Sequence, residues 1–263
     1  MDQLWLRQKR FVIIGGTTGI GLSAAFAFAT QGAKIVAVGL DRESVEITSS
    51  VLKGNGIAQM GDATRTDTAA NAIRTCQKKF GGFDGLYHVA GGSGRKWGDG
   101  PLHELTLEGW NQTLALNLTS LMLSNQAAIK TFLAEKTSGT ILNMGSVLGI
   151  SPSPNYFSTH AYAACKSAVI GFSKSIASYY AKNNIRINVL APGLVETPMS
   201  QRAAHDEGIL KFMQSKQPLD GGRIGQPGDL DGAAVYFMSD FSKFATGQVL
   251  AVDGGWSISE GQY

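Results

Sequence analysis

Cysteine is close to absent: the 263 residues include two, Cys76 and Cys165. Both fall in stretches that read as helices, at no CxxC or other metal-ligand spacing, so reduced structural thiols are expected and no metal ligand is assigned. Charge is scarce as well. Asp, Glu, Lys and Arg make up 16% of the chain, the net charge is +3 and no basic stripe is visible, which argues against nucleic acid as a partner. No apolar run approaches the ~18 residues of a membrane span, and residues 1–10 lack the apolar centre of a secretory signal. The terminal Gly261-Gln262-Tyr263 matches no targeting address. The expectation is a cytoplasmic protein that does not engage membranes.

What the chain has in their place is apolar residues, 43% of the total, and 33 glycines, a balance that suits a well-buried enzyme with many tight turns. Phe11-Val12-Ile13-Ile14 is a continuous apolar run ending in glycines, the pattern of a strand buried on both faces. Further apolar strands are expected at 34–39, 56–60, 84–89, 139–144, 185–190 and 248–252. Helical stretches at 19–31, 42–53, 66–79, 107–135, 160–182 and 227–239 separate them. Strands alternating with helices predict an α/β fold: a single-domain, Rossmann-type doubly wound parallel sheet of about seven strands with helices on both faces, spanning residues 1–263. Residues 91–105 and 193–224 exceed a normal connection, and loops of that length in a compact domain are often functional. They are expected to wall a pocket at the carboxyl ends of the strands.

Between the first strand and first helix lies Gly15-Gly16-Thr17-Thr18-Gly19-Ile20-Gly21. A strand, glycine loop and helix in that order can cradle a phosphate, since glycines let the backbone approach it and the helix N-terminus supplies N–H groups. The spacing is Gly-x-x-x-Gly-x-Gly rather than GxGxxG, and a βα turn without ligand is the plainer alternative. Tyr162 and Lys166, four apart in an expected helix, lie one turn over the other. A fixed ammonium beside a phenol lowers its pKa and lets it exchange a proton with an alcohol or carbonyl oxygen. Alone, such a pair recurs by chance in many helices. Asp41 follows Gly21 at about the 20-residue distance at which an acid binds a ribose 2′-hydroxyl and repels a 2′-phosphate. It could equally just start the next helix, and Arg42 beside it could attract a phosphate. Arg95 and Lys96 next to Trp97 are either a carboxylate or phosphate clamp or a solvated charged loop, and His160 either enters the pocket or faces solvent.

Beyond the glycine loop and the Tyr-x-x-x-Lys pair, the chain carries Asp62-Ala63 after the third strand, Ala90-Gly91 after the fourth, Asn117 in the central helix and Ser146 after the fifth strand. Pro192-Gly193, then Val195 and Thr197, and a segment from Arg223 closing in Val252-Asp253-Gly254-Gly255 follow. In this order and spacing the sequence resembles the short-chain dehydrogenase/reductase family over nearly its whole length. The resemblance implies hydride transfer between a nicotinamide cofactor and a secondary alcohol or ketone. Tyr162 would be general acid/base, and Ser146 would bond the reacting oxygen. Lys166 would lower the Tyr162 pKa and hold the nicotinamide ribose, while Asn117 would position Lys166 through water and backbone. Cofactor binding would fall to Gly15, Thr17, Thr18, Gly19, Ile20, Gly21, Asp41, Asp62, Ala63, Ala90, Gly91, Tyr162, Lys166, Pro192, Gly193, Val195 and Thr197, with NAD(H) weakly favoured over NADP(H). A homotetramer is implied, built through 107–135, 160–182 and a C-terminal segment whose Trp256 and Ile258 another subunit would cover.

The chain departs from the family pattern in several places. Ile14 stands where Thr is usual, His88-Val89 where an Asn pair is usual, and Gly39 ends the second strand where members usually carry the cofactor-reading acid. His88 is expected to have a structural role. Ser146 and Tyr162 are separated by a longer loop, residues 147–160 with Pro152, Pro154 and Tyr156, which should bulge over the substrate. A competing class is a non-catalytic dinucleotide-binding sensor or scaffold, which has no need to retain all four polar residues.

Overall fold

A computed structural model describes residues 4–261. The outermost residues on which the leader and address expectations partly rest lie outside that range. Seven strands form one parallel sheet: β1 (Arg10–Ile14), β2 (Lys34–Gly39), β3 (Gly56–Met60), β4 (Gly85–His88), β5 (Gly139–Met144), β6 (Ile185–Pro192) and β7 (Val249–Val252). Their order across the sheet is β3-β2-β1-β4-β5-β6-β7. The chain therefore winds one way from β1 to β3 and the other way from β4 onward, which opens a crevice beyond the carboxyl ends of β1 and β4.

Phe11, Val12, Ile13 and Ile14 are all fully buried, because successive side chains enter different cores. Phe11 and Ile13 pack with Phe28, Ile35, Tyr87 and Leu142 beneath α1 (Gly19–Thr30). Val12 and Ile14 pack with Val36, Ile73, Phe132 and Ile141 beneath α3 (Thr68–Phe80). Helix α2 (Arg42–Leu52) adds Leu52 to the first core. Cys76 and Cys165 are free and buried, and burial pushes their thiols up to about 12 and about 11, so both behave as apolar filler.

The long central helix expected at 107–135 is divided. Helix α4 (Leu107–Leu114) runs through a five-residue π-helical segment, Ala115–Thr119, into α5 (Ser120–Glu135). Helix α6 (His160–Tyr180) packs beside it. The long stretch after β6 folds into α7 (Gln201–Ala204) and α8 (Glu207–Lys216), and α9 (Asp231–Met238) precedes the edge strand β7. Above the strand ends a small separate core of Val147, Ala203, Ile209, Phe212, Met213 and Trp256 ties the two later long loops to the C-terminal segment. Trp256 does not wait for another subunit. It is buried within its own chain, edge-on to Phe157 at 5.4 Å, with its indole N–H donating to the Ser151 carbonyl at 3.1 Å. Ile258, two residues on, is exposed.

Candidate active site

The glycine loop is collapsed against its neighbours. Gly15 has φ +81°, and a Cβ there would lie 2.6 Å from the Ala90 nitrogen; one on Gly21 would lie 1.9 Å from the Gly15 carbonyl oxygen. Both positions therefore require glycine. Helix α1 starts at Gly19 with Thr18 as N-cap, yet Thr18 makes no side-chain cap bond and the first turn holds no acid. Its leading N–H groups are left to an external acceptor, and Thr18, Gly19 and Ile20 line a cleft. The cleft continues past Gly39, Leu40 and Asp41 on one side and Asp62-Ala63 on the other, and ends against Gly91, Tyr162 and Lys166. An elongated dinucleotide with its phosphates at the helix terminus fits this trough.

At the strand-end position, a Cβ on Gly39 would fall 2.1 Å from the Thr17 hydroxyl oxygen. Thr17 thus fills the room a carboxylate would use. Its hydroxyl oxygen lies 3.0 Å from Ser44 Oγ. Asp41 caps α2, accepting from the Ser44 backbone N–H at 2.8 Å and from Ser44 Oγ at 2.6 Å, and it lines the cleft as well. The two alternatives for Asp41 are therefore compatible. Arg42 is exposed and does not line the cleft.

The end of α6 nearest the cleft is held from a distance. Asp99, almost wholly buried, accepts from the backbone N–H groups of Ala161 at 2.9 Å and Tyr162 at 3.0 Å, while Thr159 at the N-cap makes no side-chain cap bond. A carboxylate there also complements the helix dipole. Lys166, one turn on, is buried and donates from Nζ to the Met144 carbonyl at 2.8 Å. Its Nζ lies 5.4 Å from the centroid of the Tyr162 ring. Burial pushes the Tyr162 phenol up to about 12, against which the nearby Ser146 hydroxyl pulls down. Burial pushes the Lys166 ammonium down to about 8. Desolvation dominates the Tyr162 phenol, while the Lys166 ammonium donates to the Met144 carbonyl and lies over the phenol ring.

Asn117 sits at the centre of the π-helical segment, fully buried. Its Oδ1 accepts from the Gly92 N–H at 3.0 Å, and its Nδ2 donates to the carbonyls of Gly92 at 2.9 Å and Thr113 at 3.0 Å. It lines neither cavity, and its direct bonds anchor the turn after β4 rather than Lys166. His88 is fully buried between two α5 serines, with Nδ1 3.0 Å from Ser124 Oγ and Nε2 3.4 Å from Ser120 Oγ. Burial lowers its pKa to about 3, so it is neutral and structural.

A second cavity of about 220 Å³ adjoins the cleft, and Tyr162 lines both. Ser146 opens onto this second space with Val147, Leu148, Phe157, Leu194, Met199 and Trp256, so the longer loop after β5 is one of its walls. Of the residues expected to bind cofactor, Gly21 is enclosed in the loop turn, and Gly193 and Val195 face the second cavity; the others line the cleft. Arg95 lines the second cavity, whereas Lys96 stacks on Trp97 at 4.2 Å and His160 is exposed and lines neither space. Asp99, Arg202 and Gly92 escaped sequence reading. Asp99 and Gly92 act on residues 63 and 25 positions away, and no local pattern marks such pairs.

A family model described as enoyl-(acyl carrier protein) reductase matches residues 15–257. The chain is 34% identical over 256 residues to 2,5-dichloro-2,5-cyclohexadiene-1,4-diol dehydrogenase LinX of Sphingobium indicum, covering 96% of this chain and 98% of that protein. It is 32% identical over 257 residues to 2-(S)-hydroxypropyl-CoM dehydrogenase 3 of Xanthobacter autotrophicus, covering 95% and 97%. Among solved structures, a short-chain type dehydrogenase/reductase from Mycobacterium ulcerans superposes with TM-score 0.88 at 25% identity, over 96% of this chain and 91% of that one. The protein gox2181 gives 0.86 at 27% identity, over 98% and 100%.

Proposed function

Because the chain belongs to the short-chain dehydrogenase/reductase family of oxidoreductases, we propose that it interconverts a secondary alcohol and a ketone with a nicotinamide dinucleotide, NAD(H) in preference to NADP(H). The observation that carries this reading is the position of Tyr162 at the seam between the phosphate-binding trough and the second cavity, with Ser146 on one side and Lys166 on the other. Both curated relatives are named as dehydrogenases of hydroxyl-bearing compounds, which supports the alcohol class.

The bound nicotinamide would supply or accept the hydride at its C4. Tyr162 Oη gives its proton to the nascent alkoxide in reduction and takes it from the carbinol in oxidation. Ser146 Oγ bonds the same oxygen and stabilises charge developing there. Lys166 has three donors and uses one on Met144, which leaves two for the ribose hydroxyls beside the seam. Asn117 is a positioning residue that fixes Gly92, part of the trough wall. Substrate recognition falls to the loops at 91–105, 147–160 and 193–224, each of which contributes to the second cavity.

The test is a screen of secondary alcohols and ketones with both cofactors, read by the absorbance of reduced nicotinamide, repeated with Tyr162→Phe. Turnover that disappears in the variant is expected. An enoyl thioester, prompted by the description of the matched model, is the control arm: turnover of that compound and of no alcohol or ketone would overturn the assignment.

A further inference from the structure

Among the described residues two charged side chains line the second cavity, Arg95 and Arg202, both exposed, and no acidic side chain does. They come from different loops, Arg95 from the turn after β4 and Arg202 from α7, yet both aim at one point. Each places Nη2 3.3 Å from the same Tyr156 carbonyl oxygen. A carbonyl dipole does not neutralise two full charges, and neither arginine takes part in an ion pair among the described residues. Asp99, the carboxylate that faces Arg95, is committed to the backbone N–H groups at the start of α6. Burial and then Arg202 disfavour the charged form of Arg95, with Asp99 opposing. A guanidinium stays charged regardless, so two like charges converge at the solvent-open rim of the cavity. Lys96 in the same turn, equally exposed, does not line the cavity and covers Trp97 instead.

Resting on the oxidoreductase reading, we propose that the substrate carries an anionic group, a carboxylate, sulfonate or phosphate, held between Arg95 and Arg202 while its carbinol or carbonyl faces Tyr162. An anion between two guanidinium forks gains charge-assisted hydrogen bonds and removes the repulsion. Each guanidinium retains N–H donors beyond the one given to Tyr156.

The experiment uses the full chain with acetoacetate, 2-oxopropanesulfonate and dihydroxyacetone phosphate, each against a neutral ketone of similar size. One of the anions is expected to exceed its neutral counterpart in kcat/KM at least roughly tenfold, a margin that shrinks at high salt. Which anion wins identifies the group. Arg95→Ala and Arg202→Ala should each lower kcat/KM for that anion by roughly tenfold to a hundredfold, mostly through KM, and by a clearly larger factor than for the neutral ketone. Neutral ketones preferred by the unmodified protein, or equal losses for both substrate types in the double variant, would overturn the proposal. If no ketone at all is turned over, the oxidoreductase reading has failed, and calorimetric titration with the same three anions decides this one separately. Binding that weakens at least roughly tenfold in the double variant supports the anion site, and binding that is absent or unchanged overturns it.

Discussion

Burial acts in opposite directions on the two side chains that meet at the seam, pushing the Tyr162 phenol up to about 12 and the Lys166 ammonium down to about 8. At neutral pH the phenol therefore holds its proton, the form needed to protonate an alkoxide. Tyr162→Phe removes the hydroxyl and keeps the ring, so cofactor affinity should stay near that of the unmodified protein while turnover falls by about 10²–10⁴-fold. Lys166→Ala should lower turnover and weaken cofactor binding together, since its free donors face the trough. Equal cofactor loss in both variants, read by fluorescence titration, would contradict the division of roles. His88 supplies a stability prediction. Its pKa is depressed from 6.5 to about 3 by burial, so between those values the unfolded chain binds a proton that the folded chain refuses. Stability from this site is complete above pH 6.5 and is lost as pH falls toward 3, at about 1.4 kcal/mol per pH unit inside the window. In His88→Asn this dependence should vanish. Urea unfolding from pH 7 to 3 checks it, and parallel curves for the two proteins would sink the idea.

Among the elements, those written in local pattern were legible. The strands at 34–39, 56–60 and 139–144 fall on those residues, because short, mainly apolar runs beside glycines leave few other registers. The π-helical segment around Asn117 was not, since nothing in Ala115–Thr119 signals an extra backbone step and the Asn117 side chain within it bonds to Gly92, 25 positions away. Nor was the capping of α6 by Asp99, a contact made possible only once the loop after β4 has folded over the helix. The turn from β2 into α2 was half legible. Gly39 was visible as a missing acid, but that Thr17 fills the space required the packing. Asp41 then remains the negative group lining that end of the trough with Asp62, and NADH should bind more tightly than NADPH by several-fold through like-charge repulsion of a 2′-phosphate. Asp41→Asn separates its two duties, because Asn caps a helix about as well as Asp while the charge is gone. The variant should keep its thermal midpoint and lose most of the discrimination. Equal or reversed affinities in the unmodified protein, or NADPH binding that depends on Arg42, would remove Asp41 as the determinant.

For the whole molecule, the distribution of uncovered apolar surface bears on assembly. Among the described residues, Phe244 and Ile258 stand almost fully in solvent, and Leu107 and Tyr179 are largely exposed on α4 and α6. Leu250 lies on β7, the edge strand, and is exposed too. Exposed large side chains and an edge strand are features that a second copy commonly covers. They coincide with the helices and C-terminal segment through which a homotetramer is expected, although Trp256 is no longer part of that argument. Phe244 is the most informative position, because it contributes nothing to the core of its own chain and a charge there should leave the folded subunit intact. Sedimentation velocity at micromolar concentration should show a tetramer for the unmodified protein and smaller species for Phe244→Glu, with the circular dichroism spectrum unchanged. A monomer in the unmodified protein would mean that these side chains are simply tolerated in water. An unaltered tetramer in Phe244→Glu would place the interface on the α4 and α6 faces, where Leu107→Glu and Tyr179→Glu then become the decisive substitutions.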